Sequence, residues 1–324
     1  MSINRPLALA LIGVMRNTHL LTAALVVLLS AAAGVAAQTP SRELVVRRDL
    51  QYATHDGIVL DGDYYAPKGA GRHPVVVAVH GGSWQGGSRN GFRYWGRFLA
   101  ERGVAVYAIS YRLSKPGQPT YPQAVHDVRA AIQFVKHNAE DLQADPERMI
   151  LMGDSAGGHL VALVGLAADA APFANAYPSD PYTTVSARVN SVIAAYGVYD
   201  LVQQWNHDQV GRPRDQIVEK FLGKAPMDDR RLYFEASPLS YAVRANGQPS
   251  FLLIWGTADD IVDPVHQTEV FLVALKQAGI FVRTVPVPGA PHFWMSEPID
   301  GRSAVSTVAH QVYRFLGGRL ALPE

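Results

Sequence analysis

Met149-Ile150-Leu151-Met152-Gly153-Asp154-Ser155-Ala156-Gly157-Gly158-His159 decides how this chain is read. An apolar run ends on a glycine, a serine stands between small neighbours, and an apolar stretch of helical character continues over 156–168. Gly153-Asp154-Ser155-Ala156-Gly157 is therefore a G-x-S-x-G pattern in a strand–turn–helix context. Such a turn forces the serine backbone into a strained conformation, and side chains larger than glycine at its flanks would collide. In return the hydroxyl stands free at a helix N-terminus, where the positive end of the dipole favours developing negative charge. Ser155 is the candidate nucleophile.

Working outward, short continuous apolar runs recur at 74–80, 104–110, 149–153, 191–196, 251–255 and 282–287. Runs of this kind suit strands buried on both faces of a parallel sheet. Residues 43–54 and 58–65 read as two further strands joined by a turn at His55-Asp56-Gly57. Helical spacing occupies 92–102, 122–138, 156–168, 264–278 and 303–316. The alternation predicts an α/β fold, a mostly parallel, doubly wound sheet with helices on both faces. No internal repeat or low-complexity linker interrupts it, so residues 38–324 read as a single domain. The segment 199–249 is too long for a simple crossover. It is expected to hold a helix near 214–222 and to form a small cap at the C-terminal edge of the sheet.

The N-terminus reads as an address. Residues 20–37 carry no charge, small residues close the run at Val35-Ala36-Ala37, and basic residues precede it. That is the layout of a secretory signal over 1–37, with Met15 as an alternative start. The expected location is periplasmic or extracellular in a bacterium, with no stable membrane insertion once the signal is cleaved. The 29 basic and 28 acidic residues nearly cancel, which gives no field for nucleic acid. The chain has no cysteine, which excludes disulfides, cysteine-ligated metals and a cysteine nucleophile. No H-E-x-x-H pattern occurs, and no metal or cofactor is expected. No pattern specifies an oligomeric state.

The remaining chemistry is placed by chain order. His80-Gly81-Gly82-Ser83-Trp84 follows the strand at 74–80, and its adjacent glycines let backbone amides turn toward one point. The amides of Gly82 and Ser83, with that of Ala156, are the candidate oxyanion hole, and Trp84 offers another amide. In folds built around such an elbow the acid and then the histidine follow the nucleophile. Asp259 leaves the strand at 251–255 first and is the candidate acid, with Asp260 as the alternative. His292, just past the last strand, is the candidate general base. His266 and His310 read as structural. Trp84, Trp205, Phe293 and Trp294 are candidates to line a substrate pocket.

Taken together these motifs resemble the α/β-hydrolase superfamily. HGGSW at 80–84, Tyr111-Arg112-Leu113-Ser114, GDSAGGH at 153–159 and Ser237-Pro238-Leu239-Ser240-Tyr241 are similar to the secreted esterase and feruloyl-esterase-like group related to hormone-sensitive lipase. The likeness covers roughly residues 59–316. It implies hydrolysis of short-chain or aromatic carboxylic esters, small-molecule substrates, through Ser155, His292 and Asp259, with activity lost as acid protonates His292. Ser83 stands where the hormone-sensitive-lipase pattern has a third glycine, and Trp84 follows, as in the HGG-x-W subgroup. That subgroup also includes arylformamidases and prenylcysteine methylesterases, so an amide hydrolase or a methylesterase is the alternative expectation. A non-catalytic binding protein on the same fold is a third.

Overall fold

The computed structural model describes residues 43–167, 169–170, 173–244 and 247–320. The expected signal and its alternative start lie outside them. Eight strands form one sheet: β1 (Leu44–His55), β2 (Ile58–Pro67), β3 (His73–Val79), β4 (Ala105–Ile109), β5 (Ala144–Asp154), β6 (Ser191–Ala195), β7 (Ser250–Gly256) and β8 (Val282–Val287). Their order is β1-β2-β4-β3-β5-β6-β7-β8. β1, β2 and β4 pair antiparallel, and every pairing from β4 to β8 is parallel. This is the α/β-hydrolase fold expected from the motifs.

The central strands are apolar throughout because both faces are covered. All of β3, β4, β6 and β7 is buried. Packed around the sheet are α1 (Arg93–Ala100), α2 (Gln123–His137), α3 (Ala156–Ala167), α7 (Val270–Gln277) and α8 (Ala304–Leu320). α3 follows β5 directly and is buried at every residue but Gly165. β8 differs from the other apolar runs: none of its residues is buried, because it closes one edge of the sheet. Pro286 fits there, since an edge strand can spare an amide.

Among the described residues between β6 and β7 the chain forms three α-helices rather than one, α4 (Leu201–Gly211), α5 (Ile217–Leu222) and α6 (Arg230–Ala236), and a 3-10 turn at Pro238–Tyr241. Asp200 starts α4 by accepting the amides of Val202 and Gln203, and Asp229 starts α6 by accepting that of Leu232. Side-chain acceptors at this position satisfy amides that the first helical turn leaves free. These helices sit on the loops beyond the C-terminal ends of the strands. Phe221 stacks on Trp84, and His207 Nε2 donates to the Asp260 carbonyl.

One buried ionic cluster ties the N-terminal strands to the rest. Arg112 grips Asp127 through Nε (2.9 Å) and Nη2 (2.6 Å), and the Arg112 amide donates to the same carboxylate (2.9 Å). His55 bridges Asp127 (3.1 Å) and Asp180 (2.9 Å) and stacks on Tyr177. Burial pulls the His55 pKa down, but the two carboxylates more than offset it and hold it above its ordinary value. The Arg112→Ala substitution would take the guanidinium from a fully buried carboxylate and leave it to His55 and one backbone amide, which costs about 3 kcal/mol. We expect urea denaturation to show that loss. Arg231→Ala, which removes an exposed ion pair with Glu235, should leave the midpoint unmoved.

Candidate active site

Ser155 closes the turn between β5 and α3 with φ of +52°, in the left-handed region that a side chain avoids. Two contacts hold it there. Its amide donates to the Ala195 carbonyl at the end of β6 (2.9 Å), and its carbonyl accepts the His159 amide one turn into α3 (2.9 Å). Gly157 lets this helix approach β3: a Cβ there would lie 2.0 Å from the Val79 carbonyl oxygen.

The imidazole of His292 lies between the hydroxyl and a carboxylate. His292 Nε2 is 2.9 Å from Ser155 Oγ, and Nδ1 is 2.7 Å from Asp259 Oδ2. All three residues are buried. The other oxygen of Asp259 accepts the amides of Ile261 (3.0 Å) and Val262 (2.9 Å), so the carboxylate is fixed by its own loop. Nδ1 must then carry the proton, and Nε2 is left to accept one from the serine. Asp260 is exposed. The base loop is stitched to the acid loop, since Ala258 donates to the Ala290 carbonyl (3.0 Å). Gly256 permits that crossing, because a Cβ there would lie 2.2 Å from the same carbonyl oxygen. His266 pairs with Asp263 at the surface, and His310 packs edge-on to Phe98.

The loop after β3 lies against the elbow. Gly82, Ser83 and Trp84 all have positive φ, +118°, +56° and +57°. Two consecutive non-glycine residues in this region cost about 1–3 kcal/mol each. Among the described residues, the amides of Gly82 and Ser83 donate to no backbone carbonyl of a turn or loop, and that of Ala156 opens α3, where the first amides have no helical partner. His80 braces the loop: its Nδ1 donates to the Gly81 carbonyl (2.7 Å), its ring stacks on Tyr111, and burial lowers its pKa to about 4.

The four aromatic candidates part company. Trp84 is 1% exposed and spends its indole N–H on His159 Nδ1 (3.1 Å). Trp294 is 3% exposed and donates to the Pro291 carbonyl (2.9 Å). Both therefore support the site from within instead of facing open space. Phe293 is 62% exposed and packs edge-on to His292. Trp205 lines a cavity of about 740 Å³ with Val202, Met227, Arg230, Phe234 and Leu239, between α4 and α6.

The BD-FAE family profile matches residues 63–275, which holds every strand from β3 to β7, the elbow and the acid loop. The chain belongs to the BD-FAE family. Its relatives include esterase LipQ of Mycobacterium tuberculosis, 32% identical over 251 residues, covering 76% of this chain and 55% of that protein. A probable isoprenylcysteine alpha-carbonyl methylesterase, ICMEL2 of Arabidopsis thaliana, is 28% identical over 268 residues, 79% of this chain and 60% of that one. The chain thus spans little more than half the length of these relatives. Among solved structures, apo Thermogutta terrifontis esterase 2 superposes with a TM-score of 0.69 at 26% identity, covering 89% of this chain and 98% of its own.

This BD-FAE member holds a second acid that motif reading passes over. Asp154 accepts the Gly81 amide (2.9 Å) and faces the Tyr196 hydroxyl at 3.4 Å. Tyr196 in turn packs against His292 and accepts the Met295 amide. Burial raises the Asp154 pKa to about 6, against only partial relief from those donors and from His292. The folded state therefore favours its protonated form. That contribution to stability is present near pH 4 and is lost as pH rises through 6. The Asp154→Asn variant keeps an acceptor for Gly81 without ionising. Its stability should match the parent near pH 4 and exceed it by about 1–3 kcal/mol at pH 7. Denaturation series at both pH values check this, and a pH-independent difference would contradict it.

Proposed function

We propose that this chain hydrolyses carboxylic esters of short or aromatic acids through an acyl-enzyme on Ser155. The observation that carries the proposal is the unbroken line from Asp259 through His292 to Ser155, with contacts of 2.7 and 2.9 Å. His292 Nε2 takes the proton from Ser155 Oγ as the oxygen attacks the ester carbonyl. Asp259 holds Nδ1–H and stabilises the imidazolium that forms. The carbonyl oxygen becomes negative beside the amides of Gly82, Ser83 and Ala156, the last at the positive end of α3. His292 returns the proton to the departing alcohol, and a water repeats the sequence on the acyl group.

Esterase relatives support the ester as substrate, and Thermogutta terrifontis esterase 2 has been solved with propionate and with butyrate bound. A second reading, cleavage of the methyl ester of a prenylated cysteine, draws on the methylesterase relatives. Export directed by residues 1–37 completes the proposal.

A panel of p-nitrophenyl acetate, butyrate and octanoate, a prenylcysteine methyl ester and an aryl formamide tests it. We expect the parent to turn over the short esters fastest. Ser155→Ala should lose about 10⁴-fold or more in kcat, and Asp259→Asn about 10⁴-fold. Preference for the formamide, or ester turnover that survives Ser155→Ala, overturns the proposal.

A further inference from the structure

We propose that His159 is a positioning residue that sets the distance between the nucleophile elbow and the oxyanion loop through the indole of Trp84. The inference rests on the ester-hydrolase reading above. His159 lies one turn into α3, fully buried, with its own amide bonded to the Ser155 carbonyl. Its ring joins three separate elements. Nδ1 accepts from Trp84 Nε1 at 3.1 Å, and Nε2 donates to the Ala236 carbonyl at the end of α6 at 2.8 Å.

Each partner dictates what the other receives. Indole N–H only donates and a carbonyl only accepts, so the imidazole must be neutral with its proton on Nε2. Burial lowers the His159 pKa to about 4, which keeps it in that form under ordinary conditions. A protonated ring would oppose two donors at Nδ1.

The contact matters because of where Trp84 sits. Ser83 and Trp84 both occupy the left-handed region, so the loop that carries the candidate amides does not hold its shape by local preference. Backbone bonds tie Gly82 to Gln85 and Gly86, and Trp84 to Ser114. Those bonds attach the loop to itself and to the segment after β4. Gly81 is tied to Asp154, one residue before Ser155, and the indole–imidazole bond adds the tie from Trp84, on the far side of the candidate amides, to the helix that presents Ser155. Stacking of Trp84 on Phe221, 4.5 Å between centroids, fills space but fixes no distance along the ring plane. An oxyanion hole acts only if its donors meet the oxygen as charge develops, so a small drift costs rate more than it costs binding.

The two halves of the ring can be replaced separately. His159→Asn keeps an acceptor near the Nδ1 position and loses the reach to Ala236. His159→Gln keeps a donor near the Nε2 position and loses the acceptor for Trp84. Trp84→Phe removes the indole N–H and keeps an aromatic ring on Phe221. We expect Trp84→Phe and His159→Gln each to lower kcat on p-nitrophenyl butyrate by about 10-fold or more, with KM within about twofold. Their combination should be no worse than either alone, because both break one bond. His159→Asn should keep kcat within about threefold of the parent and raise KM instead, since the bond it loses holds the α6 side of the site. Titration with paraoxon counts competent sites, so kcat is referred to folded enzyme. Parental kcat in Trp84→Phe and His159→Gln, or an equal kcat loss in His159→Asn and His159→Gln, overturns the assignment. If the His159 variants do not fold, Trp84→Phe alone decides it by its kcat. A parent that hydrolyses no ester refutes the proposed function, whereas an active parent with indifferent variants refutes only the role of His159.

Discussion

A Cβ on Gly157 would lie 2.0 Å from the carbonyl oxygen of Val79, so α3 and the end of β3 touch backbone to backbone. Much of the site depends on that contact. β3 and β5 are neighbours in the sheet, which puts the loop after β3 beside the serine that ends β5. Adjacency of strands brings two loops within one strand spacing, about 5 Å. In the proposed reaction an oxyanion must be reached by both the loop amides and the elbow amide, and that requires closer approach. The glycine supplies it. The same solution appears on the other side, where the chain at Ala290 crosses over Gly256 and delivers His292 to Asp259.

Two carboxylates flank the serine in unlike surroundings, Asp259 buried and Asp154 half-buried. Asp259 receives two amides on one oxygen and an imidazole N–H on the other. Asp154 receives one amide and a longer tyrosine contact, and burial raises its pKa. The first arrangement suits an anion that steadies a transient imidazolium. The second suits a latch: Asp154 joins the oxyanion loop, through Gly81, to Tyr196, which packs on the base. One acid thus has electrostatic work to do and the other mainly geometric work.

The parts of this molecule that could be read from sequence are those written in local grammar. Strand–glycine–serine–helix is contiguous, and the β7 loop and the loop after β8 each offer few residues of the right chemistry. Asp259 and Asp260 are chemically identical, and only the turn that sends two amides into Asp259 separates them. α4 and α6 are poorly legible in the sequence because neither carries a strong apolar stripe, and their one local signal is the N-terminal cap at Asp200 and at Asp229. Trp84 looked like a pocket wall because aromatic residues near a nucleophile often are. Its partner lies 75 positions away, and no periodicity links the two. The roles of Asp154 and His159 were hidden for the same reason.

The helices between β6 and β7 are fastened to the catalytic loops rather than laid over them. Ala236 accepts from His159, Phe221 stacks on Trp84, and His207 holds the carbonyl of Asp260. Two of these attachments end one residue from a candidate group, Ser83 or Asp259, and the third ends one helical turn from Ser155. The walls of the cavity between α4 and α6 belong to those same helices. A change of side chain on the cavity wall alters that space without touching the attachments. A change that shifts a whole helix pulls on the oxyanion loop, the serine helix and the acid loop together. Side chains such as Met227 and Phe234, which are exposed, are therefore free to vary, while the backbone path that carries them is held by its bonds to these loops.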